Sequence, residues 1–488
     1  MTSQNPVQCS LHVRALTRTL DPARLTQMFS QLDHPCILGG HESPLPGNQM
    51  SYWAANPVQT LTVTSDDSDV ETSLKAAFNR YTLDQNDYSG ELPPFCCGWM
   101  GYFSYDLGTR FEPMPVTTRN DLHMPLVHLG FYDRCIAWHS PSKTTYLMAL
   151  ALEGENAPPS LKLDALEAII DTCQQITLPV LKPLDVEHID FSAVKRNMTR
   201  AQYTKAIQRI KQYIIDGDTY QINFSHRFEL PFAAAPVALF HWQNKFNPSP
   251  YSAYLDSREF QIVSASPEMF LTLDQGQVQT KPIKGTRARL NETDRPDLHP
   301  QNVAAIRDLL YSAKEQAELN MIIDLERNDL ARICIPGTRA VIQPRTLETY
   351  ATVYHAVATV GGRLKPGLDL CDVLKATFPG GSITGAPKIR AMQIIDETEP
   401  TARGAYTGSI GFVSINHNAC LNIAIRTIII ARNMAYVQAG GGIVADSQPQ
   451  AEYEETLTKA RALIAGILAV EKEAEGRRPL AKNLEPRT

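Results

Sequence analysis

Lys284 stands one residue ahead of a Gly-Thr pair in Thr280-Lys281-Pro282-Ile283-Lys284-Gly285-Thr286-Arg287. A short strand is expected to end there, with Ile283 and Lys284 on opposite faces. Gly285 would let the backbone turn sharply or approach a ligand. Alone, a lysine so placed is most simply an ordinary solvated side chain ahead of a turn; the company it keeps further along the chain argues for a site. Sixteen residues earlier, Glu268 in Ser266-Pro267-Glu268 closes the strand Phe260-Gln261-Ile262-Val263-Ser264. One hairpin lies between, so both side chains can reach a single cleft. A carboxyl there can pass a proton to a leaving group, worth ~10²–10⁴ in rate, or simply cap a turn.

Two distant segments are dense in carboxylates: Ala317–Asp329, with Glu318, and Ala451–Lys459, with Glu455. Glu318 and Glu455 could share one hard divalent cation, Mg²⁺ by preference, with the substrate completing its shell. Alternatively, Glu455 and Lys459 form an i,i+4 ion pair of ~0.2–0.5 kcal/mol. Two glycine-rich turns are expected, Phe378–Lys388 before a helix and Ala439–Val444 after a strand at 435–438. Backbone N–H groups at such turns bind anions. The first is not a nucleotide-phosphate loop, because Ala386 and Pro387 follow Gly385 where Lys would be required. Arg426 and Lys459 could complete a pocket for a small acid with several carboxylates. His355, in Val353-Tyr354-His355-Ala356-Val357, suits the core as well as a site.

The elements that must position these groups are mixed. Segments around 61–64, 126–132, 145–150 and 219–224 are expected to be strands, and 67–82 and 160–176 helices. Thr199 and Gln202 form a T-x-x-Q capping box ahead of a helical apolar stripe that Gly217 would end. A similar S-x-x-Q cap is expected at Ser447 and Gln450. Strands and helices follow no β-α-β rhythm, so the fold class expected is α+β. A polar connector near 178–197 divides residues 1–190 from 195–472, and 473–488 is a polar tail.

The chain has 488 residues, 43% apolar and 20% charged, as in globular proteins. Its net charge of −6 argues against nucleic-acid binding, and an anionic substrate would need local cations. No apolar run is long enough to span a bilayer. The N-terminus has no signal-peptide form, and nine scattered cysteines suit a reducing cytoplasm.

Taken together, these segments resemble the chorismate-utilising enzymes. The resemblance lies in Ser-Pro-Glu, Pro-Ile-Lys-Gly-Thr, Ala-Glu-x-x-Met-Ile-x-Asp-Leu-x-Arg-Asn-Asp, Phe-Pro-Gly-Gly-Ser-Ile-Thr-Gly-Ala-Pro-Lys, Ile-Arg-Thr, Gly-Gly-Gly-Ile-Val-Ala-Asp-Ser and Glu-Thr-x-x-Lys. It implies large, mainly antiparallel sheets in a sandwich-like core with helices outside. It implies magnesium between Glu318 and Glu455. Gly440, Gly442, Tyr406, Arg426 and Lys459 would hold carboxylates, and Gly285, Thr286, His355 and Ser382 would line the ring site. Lysine at 284 is similar to the aminodeoxychorismate-forming branch, where the anthranilate-forming branch typically has alanine. Glutamine at 221, near the position of the family's water-activating lysine, suggests that water is not the nucleophile. In that branch Lys284 would attack the ring and Glu268 would donate a proton. An attacking amine must be neutral, a state favoured by burial or by cations such as Lys281, Arg287 and Arg289. Ammonia would come from a separate glutaminase subunit, since no cysteine here stands in a G-x-C-x-G elbow. Anthranilate formation and a silent binding subunit remain as alternatives. The family's tryptophan pocket would lie in the N-terminal half, but Gly39 or Gly40 stands where its serine is expected.

Overall fold

The computed structural model describes residues 5–43, 45–67, 69–192, 194–290, 296–350 and 353–477. Among them two sheets form, of 13 and 10 strands. The first runs from Lys195–Arg196 and Gln221–Pro231 through Met434–Ile443, Thr427–Ala431, Phe260–Ser266 and Tyr251–Asp256. It continues into the N-terminal strands Cys36–Leu38, Met50–Ala54, Arg134–His139, Thr144–Leu152, Val7–Thr17 and Tyr81–Asn86. The second runs from Ile283–Ala288 and Val353–Arg363 to Gly98–Phe103, Val127–Tyr132 and Gln59–Val63. Residues 1–190 and 195–472 thus contribute strands to both sheets. Pairing is antiparallel, except that Val7–Thr17 runs parallel to Tyr81–Asn86.

Alternation along each strand lets the first sheet serve two cores. Cys36, Tyr52 and Cys135 pack with Trp99, Met100 and Leu271 of the second sheet. Their neighbours Ile37, Trp53 and Ile136 face the other way, onto Leu25 and Phe29 of the helix Pro22–Phe29 and Leu163, Leu166 and Ile170 of Pro159–Cys173. This is the α+β sandwich with outer helices that was expected. Burying each such side chain is worth about 1.5–3 kcal/mol.

The Thr199 capping box forms: Gln202 N–H donates to Thr199 Oγ1 at 3.2 Å and Thr199 N–H to Gln202 Oε1 at 2.8 Å. The helix Arg200–Ile215 follows. The Ser447–Gln450 cap does not. The final helix, Pro449–Arg477, begins two residues beyond Ser447, so the required offset is missed. Ser447 Oγ donates to Glu452 Oε1 at 2.6 Å instead, and Gln450 accepts from Arg200. That helix also takes in residues 473–477 of the expected tail. Gly440, Gly441 and Gly442 are not in a turn either. They lie within Met434–Ile443, opposite Ser225, Phe224 and Asn223.

Candidate active site

The strand Ile283–Ala288 pairs with Val353–Arg363, and its register slips between Ile283 and Thr286. Lys284 and Gly285 therefore form a bulge inside a strand rather than a turn beyond its end. Gly285 has φ +93°, and a Cβ there would collide with Glu315 and Leu309. Only glycine suits the position. Lys284 Nζ lies 3.1 Å from Glu318 Oε2, with the two side chains 18% and 19% exposed. Glu318 comes from the helix Ala313–Ile333, whose N-cap Ser312 accepts Glu315 N–H at 3.3 Å. Across from the amine is Gly442, where a Cβ would stand 3.2 Å from Nζ and 3.1 Å from the Gln221 amide. Both polar atoms of that amide are buried without a hydrogen-bond partner among the described residues.

The cations expected to favour a neutral Lys284 are spoken for. Lys281 pairs with Glu348, Arg287 with Asp308 and Glu315, and Arg289 donates to Tyr350 O. Their partners come from remote elements, which the local sequence does not reveal. The group facing Lys284 is an anion.

Glu268, between Phe260–Ser266 and Met269–Asp274, is 5% exposed. Ser382 Oγ donates to its Oε1 at 2.7 Å. Burial pushes the carboxyl up to about 7, against the Ser382 hydroxyl, the Ile283 backbone and the charges of Lys284 and Lys459. Such a group carries a transferable proton at neutrality, and two of the expected site lysines act on it.

Thr286 Oγ1 and His355 Nδ1 lie 2.8 Å apart. Burial, then the charge of Arg426, pulls His355 down to about 3, so the ring is neutral. His355 is thus a buried strand histidine, as the plainer alternative had it, and also a neighbour of the Gly285 backbone. Arg426 has φ +50°, and burial lowers its pKa. Among the described residues no carboxylate forms an ion pair with it.

Lys459 Nζ contacts Glu455 Oε1 at 2.7 Å and donates to Gly440 O at 2.9 Å. A Cβ on Gly441 would lie 3.3 Å from Glu452 Oε2 and 3.7 Å from both Glu455 Oε1 and Lys459 Nζ. Charged side chains therefore converge on bare backbone. Tyr406 is buried beside Ser225, which lies opposite Gly440. Glu318 and Glu455, proposed from sequence to share a cation, are each paired with their own lysine. Among the described residues no three His, Cys, Asp or Glu groups gather to hold a metal. Two hard oxygen donors still suit a cation that binds few protein carboxylates. Sequence reasoning missed Glu326 and Asp329, buried on the Glu318 helix. Their spacing from Glu318, i+8 and i+11 on one helix, was the available signal.

Fold and site define a class: an α+β sandwich with a buried, protonatable glutamate under the charges of two lysines. The chain belongs to the chorismate binding enzyme family, which matches residues 41–465, and it acts on chorismate. It is 39% identical to anthranilate synthase component 1 1 of Haloarcula marismortui over 393 residues, 79% of this chain and 78% of that one. It is 35% identical to aminodeoxychorismate synthase component 1 of Salmonella typhimurium over 475 residues, 92% and 99% of the two chains. The crystal structure of anthranilate synthase component I from Streptococcus pneumoniae superposes with a TM-score of 0.73 at 30% identity, covering 86% of this chain and 92% of that one. Among the described residues no helix is long and apolar enough to cross a membrane.

Proposed function

We propose that the chain is an aminodeoxychorismate synthase component I, converting chorismate and ammonia to 4-amino-4-deoxychorismate for p-aminobenzoate and folate synthesis in the cytoplasm. The observation that carries this is Lys284, on a bulge between Glu318 and the Gln221–Gly442 surface, with a protonatable Glu268 nearby. Lys284 Nζ would bond to ring C2 while the C4 hydroxyl leaves as water on a proton from Glu268. Ammonia would then bond at C4 as the Nζ–C2 bond breaks, leaving the enolpyruvyl group in place. Gln221 offers no base to activate water, which favours ammonia.

Arg426, Lys459, Tyr406 and the Gly440 and Gly442 backbone would hold the substrate's carboxylates, Arg426 through the bidentate fork of its guanidinium. Thr286 and His355 would line the ring site with Gly285 and Ser382. Mg²⁺ held by Glu318 and Glu455 would neutralise a substrate carboxylate and take up the charge that now faces Lys284. A glutaminase subunit would supply ammonia in trans.

Incubating the chain with chorismate, ammonium and Mg²⁺ tests this. The expected product yields p-aminobenzoate only after a lyase is added, and no pyruvate before it. Anthranilate fluorescence with early pyruvate release would make it an anthranilate synthase, which the Haloarcula marismortui relative's name favours. Unconsumed chorismate, even with a glutaminase present, would leave a silent binding subunit. Chelation is expected to abolish turnover, with activity restored by Mg²⁺.

A further inference from the structure

The helix that supplies Glu318 carries two buried carboxylates that this chemistry leaves unused. Glu326 and Asp329 are 3% and 2% exposed. Asp329 is answered by Lys388, whose Nζ lies 2.5 Å from it and also donates to Thr377 O at 2.7 Å. Glu326 forms no ion pair among the described residues. Its Oε1 accepts Gly381 N–H at 3.2 Å. The next residue, Ser382, donates to Glu268. A Cβ at 381 would come within 3.0 Å of Glu326 Oε1 and 2.6 Å of Leu325 Cδ2, so the turn lies directly on the helix. The bond to Glu326 and the bond to Glu268 are thus made by adjacent residues.

We propose that Glu326 is a positioning residue for Glu268, holding the Ser382 turn through Gly381 N–H and keeping the donor's proton in place through its own charge. The proposal rests on the function given above, in which Glu268 protonates the leaving group. Buried carboxyls close together cannot all ionise at low cost. Glu326 is raised to about 7, first by burial and then by the charge of Asp329, with Glu268 adding and Lys388 and the Gly381 amide opposing. Glu268 is faced by Ser382, the Ile283 backbone, Lys284 and Lys459. An ionised Glu268 raises Glu326, and the interaction is reciprocal: whenever Glu326 is ionised it disfavours a second charge on Glu268, so the pair gives up its protons at higher pH than Glu268 would alone.

Glu326→Gln retains an oxygen for Gly381 N–H but removes the charge, whereas Glu326→Leu removes both. The protonated-carboxyl infrared band is followed against pH in the full chain without substrate, with Glu268 assigned by its loss in Glu268→Gln. In Glu326→Gln the Glu268 midpoint is expected about half to one pH unit lower. The alkaline limb of kcat should move with it, and chorismate KM should change less than about threefold. Glu326→Leu is expected to lose about tenfold or more in kcat through misplacement of the turn. Should that variant not fold, Glu326→Gln decides alone. An unmoved midpoint in Glu326→Gln overturns the proposal, whatever the enzyme makes. A lowered midpoint in a protein that does not aminate chorismate upholds the coupling and overturns only the assigned reaction.

Discussion

Arg403 uses its fork completely. Nε and Nη2 donate to Glu399 at 2.9 and 2.7 Å, Nη2 to Asn223 O at 2.6 Å, and Nη1 to Ile383 O and Thr407 Oγ1. Its guanidinium lies 4.5 Å from the centre of the Tyr105 ring. Glu399 Oε1 accepts Ser225 N–H and Oγ–H as well, and both side chains are almost wholly buried. Lys284 and Glu318 are also an acid–base pair, joined to the same sheet by Gly442, but theirs is a single contact of 3.1 Å at partial exposure. Beside it stands the Gln221 amide, neither atom of which has a hydrogen-bond partner among the described residues. A saturated buried network costs its full desolvation when broken, and so serves as scaffold. An unsaturated one can change partners during a reaction, which suits a site.

Substitutions that separate these two roles should differ in kind. The largest effect on turnover is expected from Lys284→Ala, a loss of roughly 10³-fold or more in C4 amination with chorismate and ammonium. Its thermal unfolding should stay close to wild type, because one partly exposed contact is removed. Wild-type rates in this variant would end the covalent route. Glu268→Gln should lower kcat by ~10²–10⁴. In wild type, kcat should fall as pH rises through about 7, where Glu268 loses its proton, and the variant should lack that limb. The same group acts on stability. Its folded value lies above the ~4.3 of an unfolded glutamate, so the folded state binds more protons between the two. Stability should therefore fall as pH rises across that window, less so in Glu268→Gln, as denaturant midpoints would show. Arg403→Ala should do the converse of Lys284→Ala. Stranding Glu399 in the core costs about 3–5 kcal/mol, read by denaturant unfolding, while kcat per folded molecule stays near wild type. Equal stability losses in the Lys284 and Arg403 variants would dissolve the distinction.

What the sequence revealed divides along the same line. Local patterns were legible: the Thr199 capping box, the alternating strands and the hairpin that brings Glu268 towards Lys284 all depend on near neighbours. Partners set by distant pairing were not. Gly440–Gly442 look like a turn because glycine favours none of the strand's side-chain contacts, yet they are held opposite residues 223–225, more than 200 positions earlier. Lys281 and Arg287 look like cations free to act on Lys284 until Glu348, Asp308 and Glu315 arrive from other elements. Ser447 has the right residue type for a cap, but Pro449 sets a later start. The resemblance to chorismate-utilising enzymes supplied the candidate site residues, and the i,i+4 spacing already offered Lys459 as a partner for Glu455; that Glu318 is paired with Lys284 only the fold showed.

Lys459 and Glu455 provide the smallest and most discriminating test. Their side chains are 42% and 52% exposed, so water screens an i,i+4 pair worth only about 0.3–0.5 kcal/mol. Lys459 nevertheless reaches Gly440 O and contributes to the field at Glu268. Lys459→Met should leave the unfolding midpoint almost unchanged while raising chorismate KM about tenfold, the effect expected from losing one charge-assisted contact of ~1.4 kcal/mol. A large stability loss would place Lys459 with Arg403, in the scaffold. An unchanged KM would mean that chorismate does not reach this end of the Gly440–Gly442 strand. The expected split, binding weakened with folding intact, requires that the lysine be bound loosely enough by Glu455 to turn to a substrate carboxylate, as its exposure permits.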